Sequence, residues 1–279
     1  MTIARATGTI ATDAIPHPRL IPFEAPWSWL AAGWRDLWHI PVLSLGYGSA
    51  FAIAAAVLAA TLAARDLQAL FPVLAGGFLI IGPLAAVGLY EASRRLASGE
   101  PIHPMGIVRA SLAARGQLMF FGALLMLAYL LWVRIAFLLL ALFLGTTTLP
   151  PPVQFMPLLL FTPAGLGLLS VGSIIGGGIA ALIFAVSAVS VPLLLAHRTD
   201  AITAARASLA AVASNPKPMA LWAALIAALM AVGFATLLIG LVFAFPLIAH
   251  ATWHAYEDIY AAQVTPAVEN KPGISAHEP

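Results

Sequence analysis

The sequence predicts an all-α protein, a polytopic bundle of helices that lies in a membrane. Of its 279 residues, 62% are hydrophobic and only 9% are charged, whereas soluble domains carry roughly 25% charged residues. So few charges cannot cover the surface of a water-soluble globule. The hydrophobic residues also form long runs, and a helix of about 20 apolar residues crosses the hydrocarbon of a bilayer. Both observations indicate a chain that crosses the membrane several times.

Six apolar segments are predicted to cross the bilayer as transmembrane helices. The last two belong to one continuous stretch, 218–260. At about 1.5 Å per residue, a single helix of that length would be about twice as long as the hydrocarbon is thick. The chain must therefore turn back, and we expect the turn near 233–240, where two glycines lie. The predicted spans are 41–64, 67–90, 118–144, 168–196 and two within 218–260.

Positive charges predict the orientation, because cytoplasmic loops carry an excess of Lys and Arg. Eleven of the 13 basic residues lie before span one, between spans two and three, between spans four and five, or after span six. Arg65 alone lies on the opposite side, and Arg134 lies inside span three. We therefore expect both termini to be cytoplasmic.

The two ends of the chain differ in composition from the membrane domain. Residues 1–26 and 261–279 lack apolar runs, so they predict a disordered cytoplasmic leader and tail around a transmembrane domain over 27–260. The leader also lacks the apolar core of a signal peptide. The chain has no cysteine, which excludes disulfides and thiolate chemistry. Its net charge of +2 gives no reason to expect nucleic acid as a partner.

Amphipathic helices are predicted in the cytoplasmic connections. The first, WSWLAAGWRDLWHI at 27–40, places apolar residues at three- and four-residue spacing and is rich in tryptophan. Such a helix is typical of anchoring at the level of the lipid headgroups; a groove on a partner protein is the alternative. RASLAA occurs at 109–114 and at 206–211, and each even-numbered span contains Pro-Leu. A threefold repeat of helical hairpins explains both patterns, with chance similarity as the alternative.

The predicted functional site lies at the cytoplasmic ends of the even-numbered spans. His250 and His254 are one turn apart and share a helix face. Aligning the prolines of spans two and six places Tyr90 and Glu91 at the same depth in the membrane as Trp253 and His254. His197 ends span four in a related position. Imidazole and carboxylate suit zinc, iron or copper. Metal or haem binding by His250 and His254 is one hypothesis; a proton relay or small-ligand site, or simple interfacial hydrogen bonding, are the others.

Arg134 is a separate candidate, because an arginine inside a span is costly and marks a functional hypothesis by default. It lies about ten residues, or roughly 15 Å, from the outer end of span three. It could bind backbone carbonyls, meet an anionic ligand or extend to outer phosphates. The proline-rich segment 145–167 is expected to form an outer loop beside it, with a short interfacial or re-entrant helix.

Three segments resemble the bacterial integral membrane proteins grouped as DUF2189. They are GPLAAVGLYEASRRLASGEP at 82–101, LLFTPAGLGLLSVGS at 159–173 and GLVFAFPLIAHATWHAYED at 240–258. The resemblance extends from about residue 27 to residue 260 and implies a polytopic protein of the bacterial inner membrane. The function of that family is unknown, so the resemblance assigns no substrate, cofactor or catalytic residue.

No segment carries the signature of a reaction. The sequence contains no glycine-rich phosphate loop and no intramembrane carboxylate pair. We therefore expect a non-enzymatic protein: a binding, accessory or assembly component of a membrane complex, with the lipid bilayer and other membrane proteins as partners. No cofactor follows from the sequence. A channel or transporter for a small solute is the alternative, suggested by the prolines of the even-numbered spans and by Arg134.

Overall fold

The computed structural model describes residues 17–65, 67, 70–145, 152–197 and 199–260. These residues form helices and their connections without any strand, so the all-α prediction is confirmed. The described helices are α1 (Ala25–His39), α2 (Pro41–Ala64), α3 (Phe71–Ala85), α4 (Val87–Ser98), α5 (Pro104–Ala113), α6 (Arg115–Leu144), α7 (Pro152–Phe161), α8 (Pro163–Ser187), α9 (Ser190–Ala196), α10 (Ala201–Ser214), α11 (Pro216–Ala235) and α12 (Leu241–Tyr260).

Among the described helices, four stretches are long and apolar enough to cross a membrane, by length and composition. They are α2, α6, the α8–α9 pair and α11. They correspond to predicted spans one, three, four and five, and α2 coincides with predicted span one at both ends. The short helix expected in the segment 145–167 is α7; residues 146–151 lie outside the described part.

Predicted spans two and six differ from these four stretches. Span two is divided into α3 and α4, with Ala86 between them, just after Pro83. A proline inside a helix removes one hydrogen bond and clashes with the carbonyl four residues before it, so an interruption there has a physical cause. Span six is the continuous helix α12, which contains Pro246 and becomes polar in its second half.

The expected fold-back within 218–260 is confirmed at residues 236–240, between α11 and α12. Leu237 and Leu238 have φ values of 53° and 72°, which side-chain-bearing residues rarely adopt. The hydroxyl of Thr236 accepts a hydrogen bond from the backbone N–H of Gly240 at 2.9 Å. This contact closes the turn and offsets part of the backbone strain.

Helix α12 is the centre of the bundle. It packs against α1, α2, α4, α9 and α11, and 13 of its 20 residues are buried. Two glycines allow the closest approaches. A Cβ at Gly33 of α1 would lie 2.6 Å from the backbone nitrogen of Ala251, and one at Gly48 of α2 would overlap the carbonyl oxygen of Val242. That carbonyl lies four residues before Pro246, which has no N–H to donate to it.

Three further helix pairs pack together. Helix α5 packs on α4, α10 packs on α8 and α9, and α1 packs on α12. The third pair joins the earliest described helix to the latest, although they are far apart in sequence.

The segment before α1 is held on the same surface. The backbone N–H of Arg19 donates to the carbonyl of Ile259 at 3.0 Å, and the N–H of Ile21 donates to Oδ1 of Asn215 at 2.9 Å. The predicted disordered leader over 1–26 is therefore wrong for residues 17–26, because polar backbone groups there find partners on the bundle. Residues 1–16 and the predicted tail, 261–279, lie outside the described residues.

Helix α1 has two faces, as its amphipathic pattern predicts. Trp27, Trp34 and Trp38 are about half exposed, while Trp29 and Leu37 are buried against the bundle. Leu37 therefore belongs to the inner face of the helix. The exposed tryptophans have the spacing of one helix face, which agrees with anchoring at an interface.

Candidate functional site

His250 lies in the buried centre of the bundle, between two serines of other helices. Its Nε2 lies 2.9 Å from Oγ of Ser44 on α2, and its Nδ1 lies 2.7 Å from Oγ of Ser93 on α4. Ser93 donates its hydroxyl hydrogen to Oδ2 of Asp36 at 2.6 Å. A hydroxyl has only one hydrogen, so Ser93 must accept from Nδ1 of His250. In the neutral ring, Nε2 is then the acceptor for Ser44.

His254 lies one turn further along α12 and meets two carboxylates. Its Nε2 lies 2.8 Å from Oδ2 of Asp36, and its Nδ1 lies 3.2 Å from Oε2 of Glu257. An imidazolium ring, which donates through both nitrogens, satisfies both contacts. Burial acts to raise the pKa of Asp36, but the hydrogen bonds from His254 and Ser93 outweigh it, and the pKa lies below its ordinary value.

These contacts form one continuous chain of hydrogen bonds, which we call the histidine network. It connects α1, α2 and α4 to the central helix α12. A second contact between α1 and α12 lies nearby, where Nε1 of Trp29 donates to Oδ2 of Asp258 at 3.1 Å. The members of the network, in order, are Ser44, His250, Ser93, Asp36, His254 and Glu257.

Glu91 does not join the two histidines, which corrects the expected arrangement. It is 1% exposed, and its carboxylate is held by Nε of Arg94 at 2.8 Å and by Nε of Arg95 at 2.7 Å. Aligning prolines gives the depth of a residue along a helix, but it does not give the face on which the side chain lies. The residue of α4 that reaches His250 is Ser93, two positions later and therefore on a different face.

Tyr90 and His197 are also separate from the histidine network. Tyr90 is buried and interacts with the hydroxyl of Thr252 on α12. The hydroxyl of Tyr256 lies 3.1 Å from Nε2 of His197, so this pair connects α9 to α12. The even-numbered spans do gather their polar ends around α12, but in three separate groups of contacts.

The arrangement gives no support to the predicted metal or haem site. Within the described residues, no three His, Cys, Asp or Glu side chains are placed so that they could hold a metal ion. Both ring nitrogens of His250 and of His254 already face partners inside the protein. A metal at either ring would have to displace one of these partners.

Sequence reasoning did not select Asp36, Ser44 or Ser93. Asp36 lies in a predicted amphipathic helix, whose charged residues ordinarily face water, and serines are common in apolar helices. A usable signal was present for Ser44, since small polar residues inside spans often form hydrogen bonds between helices. Nothing in the sequence identified His250 as the partner, because the two residues are 206 positions apart.

A cavity of about 570 Å³ lies on the other side of α12. The residues that line it include Phe245, Ile248, Ala249 and Thr252 of α12, which recur at the spacing of one helix face. The remaining walls come from α2, α3, α6, α8 and α11 and from the α3–α4 junction. Among the described residues that line this cavity, none is charged, and the hydroxyl groups are those of Tyr90, Ser187 and Thr252.

Arg134 does not line this cavity. It is exposed on α6, so its side chain does not contribute to an internal site in the described structure. Of the predicted site residues, the structure therefore brings His250 and His254 into one network and Tyr90 into the cavity wall. It leaves Glu91 and Arg134 outside both.

Comparison with known proteins identifies a similar family but no protein of known activity. No curated protein and no solved structure matches the chain. Residues 70–196 match a family model described as predicted integral membrane protein (DUF2189). The match covers two of the three segments that carried the resemblance, 82–101 and 159–173, and it ends before 240–258. The resemblance to the DUF2189 family of predicted integral membrane proteins is therefore confirmed for residues 70–196, somewhat less than half of the chain.

Proposed function

We propose that this protein is a non-enzymatic integral membrane protein that binds a small hydrophobic molecule, as an accessory component of a membrane complex. The cavity beside α12 is the observation that carries the proposal. Its volume of about 570 Å³ is within the range of roughly 300–1,000 Å³ of small-molecule sites, which are mostly apolar with a few polar groups that orient the ligand. The hydroxyl oxygens of Tyr90, Ser187 and Thr252 are such groups; those of Ser187 and Thr252 donate to carbonyls of their own helices and can accept a hydrogen bond from a ligand.

The walls of the cavity support entry from the lipid. Ala180 and Ala181 of α8 and Ala227 of α11 line the cavity and are also exposed, so the cavity opens to the outside of the bundle there. Both helices belong to stretches apolar enough to cross a membrane. A molecule dissolved in the bilayer would reach the site without passing through water.

The lining also supports binding without reaction. Proton transfer in enzymes is most often carried out by histidine, carboxylate or lysine side chains, and none of these lines the cavity among the described residues. The two histidines of α12 point instead into the histidine network, on another face of the helix. Their role in this proposal is to hold α12, and with it one wall of the cavity, in place.

The proposal includes six spans, with α3–α4 as the second and α12 as the sixth, and both termini in the cytoplasm of a bacterial inner membrane. The excess of basic residues in the proposed cytoplasmic segments supports this orientation. The pairing of α4 with α5, of α9 with α10 and of α12 with α1 supports the threefold hairpin repeat. Fusions of a periplasm-active reporter after residue 65 and after residue 101 test the topology; activity at 101 would contradict it.

The alternative of a channel or transporter has less support. Arg134 was the charged group expected to meet a solute, but it is exposed on α6 and does not line the cavity. Solute uptake by proteoliposomes that depended on Arg134 would favour this alternative over the proposed function.

The test uses a leucine to fill the cavity. Gly82 lines the cavity, and a Cβ there would meet no atom within 4 Å, so Gly82→Leu should occupy open volume without disturbing the bundle. Gly177→Leu is the matched control, because Gly177 has equally open surroundings but does not line the cavity. The probe is 1-aminoanthracene, a small apolar fluorophore, added to the full chain in detergent.

We expect saturable fluorescence enhancement with the wild type and with Gly177→Leu. For Gly82→Leu the affinity should fall by at least about tenfold, since even one methylene group changes the fit to an apolar pocket by about 1–3 kcal/mol. Solvent extraction and mass spectrometry of the purified wild type should recover a bound apolar molecule that Gly82→Leu lacks. Equal binding by the two variants would contradict the proposed site.

A further inference from the structure

A second groove, of about 410 Å³, lies elsewhere on the bundle, between α2, the α3–α4 junction and the α5–α6 pair. Its lining changes from charged to apolar along α6. Arg115 is the first residue of that helix, and Leu118, Met119 and Gly122 follow along the same groove. At about 1.5 Å per residue, the distance from Arg115 to Gly122 along the helix axis is about 10 Å.

The charge of Arg115 is not neutralised within the described structure. No described carboxylate forms an ion pair with it, whereas Arg94 and Arg95 are paired with Glu91 and Glu100. Arg115 is also exposed, so its guanidinium can meet a ligand in the groove. An unpaired guanidinium is well suited to phosphate, which it can bind through two parallel hydrogen bonds.

A second hydrogen-bond donor lines the same groove. The hydroxyl of Tyr47 packs against Gly88, where a side chain would collide with it. It has no hydrogen-bond partner among the described residues, so it can donate to an oxygen of a ligand. The hydroxyl of Ser111, by contrast, already donates to the carbonyl of Ile107 at 2.9 Å.

The apolar part of the groove distinguishes a lipid from a soluble anion. Met119 is 73% exposed, and it lies with Leu118, Leu84 and Gly122 on the wall that continues from Arg115 into the apolar length of α6. A free phosphate would contact only the charged end. An acyl chain would cover the apolar wall as well, and basic pockets between membrane helices are known to bind lipid headgroups.

We infer that this groove binds one anionic phospholipid, with its phosphate on Arg115 and the Tyr47 hydroxyl and one acyl chain along Leu118, Met119 and Gly122. The inference does not depend on the function proposed for the other cavity, since the two sites share no lining residue.

The test is lipid binding to the delipidated full chain in detergent, followed by native mass spectrometry. The probes are phosphatidylglycerol, which is anionic, and phosphatidylcholine, which is neutral overall. Arg115→Gln removes the proposed contact. Arg109→Gln is the matched control, because Arg109 is an exposed arginine of the preceding helix that does not line the groove. Arg115→Lys keeps the charge, and thermal unfolding verifies that all three variants fold.

We expect the wild type to bind one phosphatidylglycerol molecule more tightly than phosphatidylcholine. Arg115→Gln should weaken that binding by about fivefold, the effect of roughly 1 kcal/mol for one basic residue at an anionic lipid. Arg109→Gln should leave the affinity unchanged, and Arg115→Lys should keep most of it. The same loss in both glutamine variants, or no preference for the anionic lipid, would overturn the inference.

A competition arm separates the lipid from a soluble anion. Inorganic phosphate and glycerol phosphate, each in excess over the lipid, should fail to displace phosphatidylglycerol from the wild type, because they lack the acyl chain. Displacement by either soluble anion at the same concentration as a competing lipid would show that the groove binds the anion alone, and the lipid assignment would then be wrong.

Discussion

Helices α6 and α12 differ strongly in the share of their residues that is buried. Helix α6 meets the length and composition criteria for a membrane span, yet only five of its 30 residues are buried. Helix α12 is not among the helices that meet those criteria, yet 13 of its 20 residues are buried. In a water-soluble protein the more apolar helix would be expected at the centre.

The difference reflects the solvent. Lipid tails are as apolar as leucine, so the hydrophobic effect does not sort apolar helices to the inside of a membrane protein. Polar groups do favour an inside position for the helix that carries them, because an unpaired polar group in hydrocarbon costs several kcal/mol. His250 and Ser44 can satisfy each other only if α12 lies inside the bundle. In this protein, hydrogen bonding and close backbone packing determine the centre, and hydropathy determines the periphery.

The largest expected effect comes from breaking the histidine network at its buried centre. His250→Ala removes the ring that accepts from Ser44 and donates to Ser93, and it opens a void. We expect the free energy of unfolding in detergent to fall by about 2–4 kcal/mol. His39→Ala, at the exposed end of α1, should change it by less than about 0.5 kcal/mol. Thermal or SDS-induced unfolding measures both, and equal stability of the two variants would refute the central role of α12.

A smaller effect is expected from the close contact between α2 and α12. Gly48→Ala would place a methyl group against the carbonyl of Val242, and overpacking of this kind costs typically about 1–3 kcal/mol. Gly46→Ala on the same helix is the control, because a Cβ there meets no atom within 4 Å. A stability for Gly48→Ala as high as that of the control would mean that the two helices are not held at this distance.

The smallest effect is expected on the outer surface of α6. Leu130→Ala and Leu131→Ala remove side chains that are 50% and 58% exposed, and each should change the unfolding free energy by less than about 0.5 kcal/mol. Phe121→Ala on the same helix removes a side chain that is 1% exposed and should cost clearly more. Unfolding of the three variants under one set of detergent conditions measures the difference between the outer and the inner side of α6. A large loss at Leu130 would indicate that this face contacts protein.

Much of the helix layout could be predicted, because the thickness of a bilayer constrains the length of an apolar segment. Predicted span one coincides with α2, and the turn before Leu241 lies where the apolar stretch became too long for one helix. Both features depend on local sequence, and local sequence was sufficient for them. The interruption of span two was not predicted, although Pro83, a residue that breaks helices, lies just before it.

The partners of the site could not be predicted in the same way. Which carboxylate meets His254 depends on how α1 and α4 are rotated about their own axes, and no pattern within either helix specifies this. Depth along the helix favoured Glu91 as the partner, but Arg94 and Arg95 bind its carboxylate. Asp36, which does meet His254, is 218 residues away in the chain.

The order of synthesis makes the position of α12 demanding for assembly. Ser44 leaves the ribosome 206 residues before His250, which at typical rates of about 5–20 residues per second is a delay of roughly 10–40 s. During that interval, the surrounding helices are already made while the helix that they enclose is still untranslated. Until α12 is made, Ser44 and Ser93 have no His250 to contact, so this part of the bundle is completed only near the end of translation.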